Sequence, residues 1–171
     1  MKLRYKFIIV ALIGLPIGFL GRQALRPPMD RVASAIELFE LYCVPFSSNT
    51  GVTISEDMVR LANIGVLQTW GSPQSNLMLE LNTHSCVVSD TLESFSASEQ
   101  AEFSNKFRDF VKEKFPMLQA EESILSESWD LHEMWMQYRG GDPRRWGVTL
   151  GRYEIEGAVA MTSITAYVQK E

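Results

Sequence analysis

The sequence of 171 residues predicts an α+β protein. We expect an N-terminal membrane segment and then a two-layer domain of about five antiparallel strands and about three helices. Three observations predict this class. An apolar run follows the first cations, capping boxes precede apolar residues at helical spacing, and the last quarter of the chain is rich in Trp, Tyr, Val, Ile and Thr. Residues 1–26 form the membrane segment, and residues 27–171 form a single domain.

The N-terminal segment contains Lys2, Arg4 and Lys6, an apolar run at residues 7–21, and then Arg22. As a helix this run spans about 22 Å against about 30 Å of hydrocarbon, and its length also fits a signal peptide. No position near its end has the small residues that cleavage requires. We therefore expect an uncleaved signal anchor, with a cleaved signal peptide or a buried or interfacial helix as alternatives. The positive-inside tendency places the domain in the periplasm or exterior.

The charge of the domain is strongly negative once this segment is set aside. Residues 1–26 hold five of the 16 Lys and Arg residues and no acid, so residues 27–171 carry eleven cations against 21 acids, a net charge of −10. Such a domain repels nucleic-acid phosphates and an anionic membrane face. We expect no nucleic-acid binding.

The first predicted helix begins near Asp30, after two prolines, and ends before Pro45. Spacings of four, three and four residues give it one apolar stripe, which consists of Val32, Ile36, Phe39 and Cys43. Cys43 is therefore predicted to face the core.

Two short strands are predicted next to a two-residue turn at Asn82 and Thr83. The register that this turn implies pairs Leu81 with His84, Leu79 with Cys86 and Leu77 with Val88. Because Cys43 and Cys86 would then both face the core of an exported domain, we expect a disulfide between them. Two reduced, buried thiols are the alternative.

A second, short helix is predicted between the cysteines. Residues 53–56 have the spacing of a capping box, Gly65 marks the end, and the apolar side consists of Met58, Leu61 and Ala62. Residues 66–75 are predicted to form a loop in which Trp70 covers the core.

The third predicted helix follows a capping box at residues 96–99 and ends before Pro116. Its apolar stripe consists of Phe103, Phe107, Phe110, Val111 and Phe115. A stripe of this kind most often packs on a sheet, and a cofactor site is the alternative. We expect no cofactor.

A three-strand antiparallel meander is predicted after an acidic link at residues 119–128. The segments are rich in β-branched and aromatic residues and are separated by turns. The predicted strands cover residues 129–138, 145–155 and 157–169. With the hairpin they make five strands, and the helices lie on one side of the sheet.

Few residues offer catalytic chemistry. The two histidines, His84 and His132, do not combine with Cys43 and Cys86 in the spacing of any compact zinc motif, so we expect no metal site. The chain has no phosphate-loop, dinucleotide or esterase motif. An envelope hydrolase that uses the neighbourhood of His84 or His132 is one alternative function. A small-ligand carrier, with its ligand between the Phe-rich helix and the sheet, is another.

Four arginines with interleaved aromatic residues mark one predicted hairpin of this acidic domain. The predicted binding residues are Arg139, Arg144, Arg145, Arg152, Trp135 and Trp146. Arginine beside aromatic rings can bind a carboxylate, a phosphate or a protein partner. The alternative is an edge strand whose arginines prevent the addition of another strand.

The two cysteines and the hairpin sequence WMQYRGGDPRRWGVTL resemble small exported bacterial proteins of unknown function. The resemblance covers residues 35–168 and implies export and a disulfide, without an activity. The sequence therefore predicts a membrane-anchored envelope protein that has a non-enzymatic binding or assembly role and a protein partner at the membrane.

Overall fold

The computed structural model describes residues 29–121, 131–153 and 161–168. These residues form one sheet of eight antiparallel strands and two helical segments that pack against one face of it. The first helical segment consists of α1 (Arg31–Leu38), one π-helical turn (Phe39–Cys43) and the short helix α2 (Val44–Ser47). The second is the long helix α3 (Ala97–Lys114).

The strands, in chain order, are β1 (Val59–Ile64), β2 (Leu67–Ser72), β3 (Leu77–Leu81), β4 (Ser85–Ser89), β5 (Gln119–Glu121), β6 (Leu131–Gln137), β7 (Trp146–Tyr153) and β8 (Met161–Tyr167). Their order across the sheet is β1-β2-β3-β4-β8-β7-β6-β5. Every neighbouring pair is antiparallel.

The topology contains two equivalent halves. Each half consists of a helical segment followed by a four-strand meander, and the last strands of the two meanders, β4 and β8, pair at the centre of the sheet. From either edge of the sheet, the four strands of one half follow in chain order to the centre. This arrangement corresponds to a two-fold axis perpendicular to the sheet between β4 and β8, although no repeat is visible in the sequence.

The predicted fold class is wrong in its elements. The described residues contain eight strands instead of five and two helical segments instead of three. The three extra strands are β1, β2 and β5. They lie in the second predicted helix, in the predicted loop at residues 66–75 and in the predicted acidic link.

The apolar residues of strand β1 have a helix-like spacing in the sequence because the strand contains a bulge. The register with β2 shifts between Arg60 and Ala62, so Leu61 is an extra residue. The Leu61 side chain lies where a Cβ on Gly71 would point, and Ala62 pairs with Thr69, two residues from Gly71. Leu61 and Ala62 therefore share one face. Their spacing then resembles a helical repeat, which misled the prediction.

Strand β2 lies within the predicted loop at residues 66–75 and contains Gly71. A Cβ on Gly71 would lie 3.2 Å from carbon atoms of both Leu61 and Leu92, so these two side chains occupy the space beside it. Gly71 thus marks close packing within a strand and not a turn. Trp70, its neighbour in β2, is 8% exposed.

Helix α1 begins at the predicted residue but does not end at the predicted one. The Asp30 carboxylate accepts a hydrogen bond of 2.8 Å from the backbone N–H of Ala33. The helical segment continues through Pro45 to Ser47, which contradicts the predicted end. The backbone N–H of Val44 donates to the carbonyl of Phe39, five residues earlier, so a widened turn lies just before the proline.

The register of the β3–β4 hairpin differs from the predicted one by two residues. Leu81 pairs with Cys86, and Leu79 pairs with Val88. The Asn82 side chain accepts hydrogen bonds from the backbone N–H groups of His84 and Ser85, which lengthens the turn. A shift by an even number of residues keeps each side chain on its face.

The predicted disulfide between Cys43 and Cys86 is confirmed. It joins the π-helical turn to β4, and both cysteines are fully buried. Helix α3 packs against the first helical segment. The Phe107 ring lies 5.3 Å from the ring of Phe39 and 5.9 Å from that of Trp135, so aromatic contacts join both helical segments and the sheet.

Residues 1–28 lie outside the described part of the chain, and the predicted signal anchor or signal peptide lies there with them. Within residues 29–121, 131–153 and 161–168, no helix is long and apolar enough to cross a membrane. Most of the predicted acidic link and the predicted turn between the last two predicted strands are also outside the described residues.

Candidate binding site

The β6–β7 hairpin ends in a loop that its own side chains organise. Tyr138 has a φ of 67° and Gly141 a φ of 87°, both in the left-handed region. The Asp142 carboxylate accepts a hydrogen bond of 2.8 Å from the backbone N–H of Arg144. The loop is therefore held in shape by a local turn of the kind that Asp favours.

Arg144 is bound within this loop. Its guanidinium carbon lies 4.3 Å from the centre of the Tyr138 ring, and its Nη2 lies 2.9 Å from Asp142 Oδ2. The hydrogen bonds from Arg144 hold the pKa of Asp142 below its usual value. More than half of the Arg144 side chain is exposed, so it remains accessible to a partner.

Arg145 points back over the sheet to Glu121 of β5. Its Nη1 and Nη2 lie 3.2 Å and 2.7 Å from the two carboxylate oxygens of Glu121, which is bidentate geometry. The arginine side chain is 20% exposed. A guanidinium group has five N–H donors, so this pair fixes the position of Arg145 and leaves donors for another acceptor.

A cleft of about 340 Å³ opens beside Arg145. Its walls come from three separate parts of the chain: the β3–β4 turn, the β6–β7 hairpin and the end of β8. The lining residues are His84, Met136, Arg145, Trp146, Tyr167 and Val168. The backbone N–H of Val168 donates to the carbonyl of His84 at 3.0 Å, so two of the three parts are directly joined.

Trp146 and Met136 both line the cleft, from neighbouring pairs of the β6–β7 ladder. Trp146 is 4% exposed, its ring lies 6.0 Å from that of Phe115, and its indole N–H donates to Gln137. A Cβ on Gly147 would lie 2.1 Å from the carbonyl oxygen of Trp135 and 2.4 Å from the sulfur of Met136. Only glycine fits there, which allows Met136 to lie across β7.

The six predicted binding residues do not form one surface. Arg145 and Trp146 line the cleft, and Arg139 and Arg144 are exposed in the loop next to it. Arg152 lies seven residues further along β7, about 23 Å from Arg145, and its Nη1 donates to Gln100 of α3 at 2.9 Å.

Trp135 belongs to the core. It is 8% exposed, and its ring packs against that of Phe107. The cleft also contains four residues that were not among the predicted binding residues, namely His84, Met136, Tyr167 and Val168. Met136 lies within the hairpin itself, and the other three come from the β3–β4 turn and the end of β8, which the pairing of β4 with β8 brings together.

The two histidines lie at opposite ends of the sheet. His132 pairs with Gly151, which pairs with Ser163, which pairs with Ser89, five residues from His84. The two histidines are therefore separated by about 17 Å along the strands and about 14 Å across them. Burial lowers the pKa of His132. A catalytic site that uses both histidines is incompatible with this distance.

Both thiols are consumed by the disulfide. In the part of the chain that the structure describes, no three His, Cys, Asp or Glu residues lie close enough together to hold a metal ion.

The chain was compared with protein-family models, with curated proteins and with solved structures, and none of the three comparisons found a match.

Proposed function

We propose that this protein is a non-enzymatic binding protein, anchored in the cell membrane through residues 7–21, whose domain faces the periplasm or exterior. Two observations support the location. The apolar N-terminal run follows three cations, and a buried disulfide of this kind persists in oxidising compartments.

The observation that carries the binding role is the composition of the cleft. An aromatic and apolar wall meets one guanidinium group whose position is fixed by Glu121. The cleft volume is at the lower end of the range of about 300–1,000 Å³ that binding pockets show. This combination suits one apolar or aromatic side chain of a protein partner, together with a carboxylate or carbonyl that accepts hydrogen bonds from Arg145.

The surrounding charges favour an acidic partner segment. Arg139 and Arg144 lie beside the cleft in a domain that otherwise carries many acids. A local positive region of this kind orients an anionic partner, and the orientation weakens as salt is added.

A hydrolase at the cleft is supported less well. His84 lines the cleft, but the other lining residues include no Ser, Thr, Cys, Asp or Glu, so His84 has no nucleophile or carboxylate partner among them. A carrier with its ligand between the Phe-rich helix and the sheet would need space there. Phe39, Phe103 and Phe107 are buried at that interface, and the Phe107 ring contacts the rings of both Phe39 and Phe103.

Site-specific photocross-linking in intact cells tests the proposal. A photoreactive phenylalanine analogue replaces Tyr167, which is 38% exposed at the cleft, and in a control it replaces Lys112, which is exposed on α3. We expect a discrete protein adduct from position 167 only. Arg145→Ser should reduce its yield about tenfold or more, because a charged hydrogen bond contributes about 1.5–3 kcal/mol.

The matched control for charge is Lys112→Ser, which should leave the adduct unchanged. If Arg145→Ser leaves the yield at position 167 unchanged, the partner surface lies elsewhere. If Arg145→Ser lowers the unfolding temperature as well as the adduct yield, the arginine is structural.

A further inference from the structure

Strand β1 is an edge strand with an apolar surface. Among the described strands only β2 pairs with it, so its outer N–H and C=O groups have no strand partner. Val59, Leu61 and Ile64 are 51%, 49% and 72% exposed. The strand contains neither lysine nor proline, which are residues that commonly protect edges.

The bulge gives β1 an unusual distribution of side chains. The face of each residue follows from the partner in β2: Val59 pairs with Gly71, Arg60 with Trp70, Ala62 with Thr69, Asn63 with Gln68 and Ile64 with Leu67. Since alternate residues of β2 point to opposite faces, Val59, Ala62 and Ile64 share one face with Leu61. Arg60 and Asn63 point to the other face.

The sequence of faces along the strand is the same from its first residue to its last as from its last to its first. When two copies of β1 are aligned antiparallel over their whole length, Val59 lies opposite Ile64, Arg60 opposite Asn63 and Leu61 opposite Ala62. In each pair both side chains point to the same face, as antiparallel pairing requires. Apolar residues meet apolar residues, and no two like charges are directly opposite each other.

The bulge is necessary for this match. In a six-residue strand with strict alternation, the first and last side chains point to opposite faces. If two copies of such a strand paired antiparallel over their whole length, the two side chains of every opposed pair would point to opposite faces, which antiparallel pairing does not allow. The extra residue Leu61 corrects this mismatch. A bulge usually discourages strand addition, whereas here it makes the strand complementary to itself.

We propose that β1 pairs with β1 of a second copy of this chain around a two-fold axis perpendicular to the sheet. Such an interface is isologous, and the pairing would join the two eight-stranded sheets into one. The second copy is favoured over an unrelated peptide because the complementarity is that of β1 with itself.

Cysteine cross-linking of the full chain in membranes tests the register. Directly opposed residues have Cα atoms about 4.5–5.5 Å apart, within the range of a disulfide. The two copies of Val59, in contrast, would be about 15 Å apart, and so would the two copies of Ile64. We therefore expect oxidised dimers when Val59→Cys and Ile64→Cys chains are co-expressed with different tags, and none when either variant is expressed alone.

Met117→Cys, at another exposed apolar position, is the control and should not cross-link with Val59→Cys. Dimers from either edge variant alone, or the absence of dimers from the mixture, would overturn the proposal. So would an adduct of Ile64→Cys with another protein.

A second measurement uses no added cysteine. The protein mass of the purified full chain in detergent should be twice 19.4 kDa, and Ile64→Arg should reduce it to 19.4 kDa while circular dichroism shows that the chain stays folded. A wild-type chain that is monomeric at tens of micromolar would also overturn the proposal.

Discussion

Asp90 and Thr162 connect the two halves of the sheet. Asp90 Oδ1 accepts a hydrogen bond of 2.6 Å from the backbone N–H of Thr162 in β8, and Oδ2 accepts one of 2.7 Å from the backbone N–H of Phe95. The backbone N–H of Asp90 donates in turn to the carbonyl of Thr162 at 3.1 Å. Asp90 is fully buried, so one carboxylate satisfies two backbone donors at the end of the central strand pair.

Asp90→Ala should therefore destabilise the protein. The substitution leaves two buried N–H groups without an acceptor, and each such group costs about 1–3 kcal/mol, partly offset by the removal of a buried charge. We expect the free energy of unfolding to fall by about 2 kcal/mol or more in urea denaturation. Asp109→Ala, an exposed acid on α3, is the control and should change it by less than about 0.5 kcal/mol. Equal effects would contradict the role of Asp90.

Glu80 should make the stability depend on pH. Burial raises the pKa of this β3 carboxyl above its usual value of 4.5. The folded state then binds a proton more tightly than the unfolded state, so the free energy of unfolding falls as pH rises from about 4.5 through the folded pKa. Glu80→Gln should increase stability at pH 7 and change it little at pH 4.

Unfolding midpoints in urea at both pH values test this expectation. Glu113→Gln, an exposed α3 substitution with the same change in charge, is the matched control. A stabilisation by Glu80→Gln that is equal at both pH values would exclude proton binding as its cause.

The Cys43–Cys86 disulfide should contribute strongly to stability. It closes a loop with a sequence separation of 43 residues, for which chain entropy predicts about 4 kcal/mol. The double variant Cys43→Ser, Cys86→Ser should lose much of this amount, with hydroxyl burial adding to the loss. The reduced wild-type chain is the control: it lacks the bond but buries no added hydroxyl, so it should unfold at a urea concentration between those of the oxidised wild type and the double variant. An oxidised wild type no more stable than either would disprove the prediction.

The membrane topology can be tested without the domain structure. A C-terminal reporter that is active only outside the cytoplasm should be active, because the three N-terminal cations favour an N-terminus that stays inside. Mass spectrometry should find an N-terminus at or next to Met1. A discrete N-terminus near residues 22–30 would instead show a cleaved signal peptide.

Local signals in the sequence were sufficient for several elements. The Asp30 cap of α1 and the Ser96–Glu99 capping box of α3 are both formed, and helix α3 ends before Pro116 as predicted. Strands β6, β7 and β8 lie within the three predicted segments. These elements depend on hydrogen bonds and apolar periodicities within about twenty residues, so the sequence alone determined them. The disulfide was also predictable, because an even error in hairpin register does not change which way Cys86 faces.

Tertiary structure alone decided the strand count, the cleft and the β1 edge. The bulge at Leu61 is defined by the pairing of β1 with β2, so the sequence does not show it. Without that pairing, the apolar residues of β1 have the spacing of a helix. His84 and Tyr167 meet Arg145 because β8 pairs with β4, across more than seventy residues of chain. Pairings of this range depend on which strands fit together in the folded sheet. No local periodicity encodes that choice, and the sequence therefore predicted only two of the six residues that line the cleft, Arg145 and Trp146.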